Sequence, residues 1–156
     1  MAKRLVMRKP RAKTMQQDIS PGDWTGEFIS PGSLTYGQME QPGPPVHIVE
    51  FTYLVAPAFM RSPKKQEWGG VVMIMPPPKG EPLSAAGFVL SDGPLPTLTL
   101  SLSATRVQFS DLIRHMGDRE ISEFRFSLAA NGQGKWTVSS WHMIANIRGH
   151  RDGRAP

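Results

Sequence analysis

A chain of 156 residues is long enough for one domain with its own core. It has no cysteine, which excludes disulfides, thiolate metal sites and cysteine nucleophiles. Its net charge of +5 is unevenly placed: Lys3, Arg4, Arg8, Lys9, Arg11 and Lys13 give residues 1–13 a charge of +6, Arg148, Arg151 and Arg154 against Asp152 give the last nine residues +2, and the stretch between carries −3.

Residues 1–18 read as a flexible basic arm, with Leu5, Val6, Met7 and Met15 as its only large apolar groups. Lys3 and Arg4 could open a secretory signal, but three apolar residues before Arg8 are too few. No run is long enough to span a bilayer; the strongest, Val71–Met75, stops at Pro76-Pro77-Pro78. An intracellular location, or one inside an assembled particle, is the expectation.

The folded part opens on a repeated tetrapeptide, Ile19-Ser20-Pro21-Gly22 and Ile29-Ser30-Pro31-Gly32. Pro at the second position of a turn and Gly at the third predict two type II turns. A strand is expected over Trp24–Ile29, with a return from Leu34. Two copies are too few for a solenoid. Residues 38–45 carry three prolines in four positions and read as loose, extended chain.

Strand signals follow. Val46–Val55 is β-branched and aromatic, and its more apolar face is His47, Val49, Phe51, Tyr53 and Val55, expected inward. Pro57 should end or bulge that strand. After a polar loop at 61–67, Gly70–Met75 reads as a strand buried on both faces, and Gly87–Leu90 as a short strand before the Ser91-Asp92-Gly93-Pro94 turn cluster. Thr97–Ser103 alternates Leu98, Leu100 and Leu102 with Thr and Ser, the pattern of a half-buried strand. A short helix is expected at 110–117, capped by Ser110 and closed by Gly117. Phe124, Phe126 and Leu128 then alternate, Asn131-Gly132-Gln133-Gly134 makes a loop, and 136–147 is the return strand. Its apolar parity switches between Val138 and Trp141, which predicts a bulge near Ser139-Ser140.

About eight short antiparallel strands with one short helix near 110–117 and flexible basic termini give an all-β chain, a single small β-sandwich or closed barrel. Its organisation is expected to be a basic arm over 1–18, a β-rich domain over 19–147 and a basic tail over 148–156.

Catalytic patterns are thin. Gly134-Lys135 lacks the upstream Gly and the following Ser or Thr of a phosphate-binding loop, and it sits in a hairpin. Ser62-Pro63-Lys64-Lys65 has Ser-x-x-Lys spacing without companion motifs. Asp111 and His115 could meet one helical turn apart, but the dipole of the helix favours the same placement. His47, His142 and His150 form no metal-ligand spacing. No enzyme, no cofactor and no metal site are expected.

The basic ends are the leading functional signal. Lys3, Arg4, Arg8, Lys9, Arg11, Lys13, Arg148, Arg151 and Arg154 suit phosphate neutralisation without sequence reading. Trp136 or Trp141 could add a stacking surface for single-stranded nucleic acid. The expected function is a non-enzymatic β-domain that binds nucleic acid or another polyanion through its termini, possibly as a self-assembling subunit. The alternative is a structural or protein-interaction module of a larger complex, its tails docking on an acidic partner. A flexible basic arm on a small β-sandwich would be similar in layout to many small viral capsid proteins.

Overall fold

A computed structural model describes residues 19–78, 80–90, 97–131 and 135–146. Eight strands and one helix follow in chain order: β1 (Gly22–Phe28), β2 (Ser33–Gln41), β3 (His47–Arg61), β4 (Glu67–Met75), β5 (Gly87–Leu90), β6 (Thr97–Ser103), α1 (Arg106–Gly117), β7 (Ile121–Ala130) and β8 (Trp136–Ala145). The sheet order β1-β7-β8-β5-β6-β4-β3 closes on itself through β1–β3 pairing, and β2 adds to β3 outside the ring. The structure is therefore a closed seven-stranded barrel with one extra strand. Every pairing is antiparallel except β4 with β6, which run parallel.

The interior is filled by alternation, as a barrel of this size requires. Leu98, Leu100 and Leu102 of β6 are fully buried, as are Phe124, Phe126 and Leu128 of β7. On β4, Trp68, Val72 and Ile74 point inward while Val71 and Met73 are only half-buried, so its two faces are not equally covered. Two indoles anchor the core. Trp24 lies 5.7 Å from Phe126 and 6.1 Å from Trp68, ring centre to ring centre. The Trp24 N–H donates to the Ser20 carbonyl at 2.9 Å, whereas the buried Trp68 N–H has no partner among the described residues. Trp24→Phe should therefore destabilise more than Trp68→Phe by about 1–2 kcal/mol, since only the first strands a buried carbonyl. Equal losses in chemical unfolding would refute that account.

The second tetrapeptide does not reverse the chain. Phe28 stands opposite Ala58 and Ser33 opposite Val55, so five residues advance on one side for three on the other. β1 and β2 are consecutive stretches running the same way along β3, joined by a two-residue bulge. Gly22 and Gly32 both adopt the positive φ expected of the turns, and a Cβ at Gly32 would meet the Val55 carbonyl oxygen at 2.3 Å.

Two expectations for β3 are corrected by the same geometry. Pro57 does not end the strand; it pairs in register with Val71 of β4. Its carbonyl accepts from Ile29 N–H, so its missing N–H faces the bulge between β1 and β2, where no ladder bond is needed. The inward face is also the opposite parity: Leu54, Ala56, Ala58 and Met60 enter the core, while Val49, Phe51, Tyr53 and Val55 lie on the outer side. Residues 38–41 are not loose chain but the last four residues of β2.

α1 is one turn longer than expected and starts at Arg106. Its cap is Thr105, whose Oγ1 accepts from Gln108 N at 3.1 Å while Gln108 Oε1 accepts from Thr105 N at 3.0 Å. Gly117 does not supply the left-handed turn; Arg119 does, with φ 56°. Phe109, Leu112 and Met116 face the core. The Ser139 bulge is present, because Ser127 pairs with Ser140 but Leu128 with Val138.

Candidate functional site

β3 is longer than the barrel needs. β4 stays beside it only from Arg61 to Leu54, while β2 runs with it to His47. Beyond Leu54, β2 and β3 form a two-stranded ribbon standing off the barrel. A two-stranded ribbon alone in water is marginal. One side is held by Phe51, which covers Gly37 so closely that a Cβ there would meet the ring at 2.8 Å, and by Tyr53, 6.4 Å from Phe51. Tyr36, Met39, Val46 and Ile48 remain exposed.

Between the ribbon and the segment after β4 lies a cleft of about 850 Å³. Its walls include Tyr36, Glu50, Thr52, the prolines 76–78 and Leu83, with Arg106 at the start of α1. Residues of both parities of β3, Val49 through Tyr53, line it, so the cleft follows the edge of that strand as well as a face. Its charged groups are Glu50, Glu81 and Arg106. A smaller hollow of about 390 Å³ on the barrel wall carries Glu27, Glu67 and Glu123 with Arg61 and Arg125. Glu27 and Glu123 stand directly opposite each other across β1 and β7, a like-charge pair, while Arg61 bonds Glu67 at 2.7 Å.

The barrel itself is not basic. The described residues hold eight Lys or Arg against ten Asp or Glu, a net of −2. Lys3, Arg4, Arg8, Lys9, Arg11, Lys13, Arg148, Arg151 and Arg154 all lie outside the described residues, as do 132–134 of the hairpin loop and the 91–94 turn. Trp136 and Trp141 are described. Both are half-buried against the core, and the Trp141 N–H donates to the Ser103 carbonyl at 3.2 Å.

The other sequence patterns are placed by local structure. Ser62 is buried in the β3–β4 turn, where its Oγ accepts from Gln66 N at 3.1 Å, so it has no helical neighbour to activate it. His115 does not meet Asp111. Its Nδ1 lies 2.5 Å from Glu120 Oε2 just past α1, while Asp111 sits 3.5 Å from Arg114. Among the described residues no group of three His, Asp or Glu could hold a metal ion, and no helix is long and apolar enough to cross a membrane. The cleft and the ribbon were not legible in advance, since both depend on β3 outrunning β4. Compared with protein-family models, curated proteins and solved structures, the chain matches none.

Proposed function

We propose that this protein is a non-enzymatic β-barrel that binds nucleic acid or a similar polyanion through its basic termini and acts as an assembling subunit. One observation supports this above the others: the charge is segregated. A barrel at −2 has no net positive charge to draw phosphate, whereas residues 1–13 alone bring +6. Phosphate contacts from such a segment position the protein without reading sequence. Any stacking contribution falls to the exposed part of Trp136, because the Trp141 indole is tethered to Ser103. The ribbon supports the assembly half of the reading, since its exposed Tyr36, Met39 and Ile48 are apolar surface with no cover inside the barrel.

The test compares the full chain with a variant in which the six cations of residues 1–13 are Gln. Light scattering and the absorbance ratio are read together. The native chain should purify with bound nucleic acid, and the variant without it. An ordinary protein absorbance ratio in both would sink the reading. If polyanion binding fails while a defined oligomer persists in both, the structural-module alternative replaces it.

A further inference from the structure

The backbone of β3 offers an open edge inside the cleft. The backbone N–H and C=O groups of its odd-numbered residues point toward β1 and β2, as the Ile29 N–H to Pro57 O bond shows, so those of its even-numbered residues point toward the other edge. From Leu54 onward those groups meet β4. Before Leu54, at Ile48, Glu50 and Thr52, they face the cleft with no strand beside them among the described residues. The facing wall includes Pro76, Pro77, Pro78 and Pro82, none of which has an N–H to give. An extended peptide laid along this edge would complete the ladder and cover apolar surface in one step.

We infer that the occupant is the N-terminal segment of a second copy of this chain, added as a strand to β3. The inference rests on the assembling-subunit half of the proposed function; the polyanion half draws on the same segment, so a docked arm and a phosphate-bound arm compete for it. Charge selects the segment: the cleft sets Glu50 and Glu81 against Arg106, with Glu40 also on the ribbon, and residues 1–13 hold six cations and no acid. Leu5-Val6-Met7 between Lys3-Arg4 and Arg8-Lys9 supplies an apolar centre with charged flanks. Direction favours a second copy, because entering its own cleft would require the segment to double back along the barrel. β1 runs toward the ribbon, and its first residue, Gly22, lies beside Pro63 at the other end of β3. Just before it Ile19 and Ser20 are buried, Ser20 accepting from the Trp24 indole, so the described chain begins at the end of the barrel away from the cleft. From Arg61 back to Tyr53 is a span of roughly 26 Å at strand rise. Eighteen extended residues reach at most about 60 Å, enough to enter a neighbour's cleft without doubling back over their own barrel. A head-to-tail contact of this kind generates rings or filaments.

The cysteine-free chain makes the test direct. A Val6→Cys chain and a Thr52→Cys chain of different mass are mixed and oxidised with oxidised glutathione. The expected product is a mixed covalent dimer, formed about tenfold more than with Ser139→Cys, an exposed control on the far strand β8. Tyr36→Cys, on the lip of the cleft, repeats the measurement should Thr52→Cys fold poorly. Adding Glu50→Lys and Glu81→Lys should lower the yield several-fold. Yields equal to the Ser139 control overturn the inference. So does a disulfide found only within single chains carrying both Val6→Cys and Thr52→Cys, which would place the segment in its own cleft. The absorbance ratio of the same preparations reports polyanion binding separately, so either reading can fail alone.

Discussion

Replacing Gly70 by Ala lowers stability by about 3 kcal/mol or more, whereas the same change at neighbouring Gly69 leaves it unchanged or slightly higher. A Cβ at Gly70 would lie 1.9 Å from the Leu98 carbonyl oxygen and 2.9 Å from its carbon and nitrogen, while nothing lies within 4 Å at Gly69. The clashing atoms are backbone, so no side chain can rotate out of the way. Gly70 is paired with Leu98 at the parallel junction of β4 and β6, and with Ala58 of β3 on its other side. Relief requires one of these strands to move, and the ring has no free edge to absorb the shift. Each ladder bond lost adds about 1 kcal/mol. Against a total stability of roughly 5–15 kcal/mol, that is enough to show as a large fall in the urea midpoint. Equal midpoints for the two alanine variants would contradict the close approach of β6 to β4.

The strands were legible wherever periodicity was local. Thr97–Ser103 and Gly87–Leu90 appear with the bounds that alternation and turn residues implied, and the parity change around Ser139 became a real bulge. What failed depended on partners. The outer face of β3 looked like the core face because Val49, Phe51 and Tyr53 are larger and more apolar than Ala56 and Ala58. Yet it is the small alanines that fit a barrel interior already filled by Trp24, Phe124 and Phe126. The first turn of α1 was missed because Arg106 and Val107 are exposed and break the apolar period. The Thr105 and Gln108 spacing of a capping box was the signal that could have found it. The second Ser-Pro-Gly read as a reversal because a turn's local chemistry does not reveal which strand its flanks join. The candidate site was legible only as charge. The cleft exists because one strand outlasts its neighbour, a fact of register that no segment carries alone.

Raising salt from 50 to 200 mM should weaken nucleic-acid binding by roughly a thousandfold if the six cations of residues 1–13 each engage a phosphate. The slope of log affinity against log salt should then be about −5 on duplex DNA and about −4 on a single strand, because the counterions released scale with phosphates neutralised. Removing Lys3 and Arg4 together as Gln should reduce the slope by about 2 while leaving base preference unchanged. Substitutions on the barrel test the converse. Arg61 is bonded to Glu67, Arg114 is paired with Asp111, and Arg125 shares its hollow with Glu27 and Glu123, so each sits in acidic company. Changing Arg125 to Gln should therefore leave the salt slope unaltered. A slope that drops with Arg125 but not with Lys3 and Arg4 would move binding from the termini to the barrel wall. The charge segregation would then no longer explain it. A slope near zero with tight binding would instead point to recognition without phosphate, by stacking on Trp136 or by the cleft and ribbon.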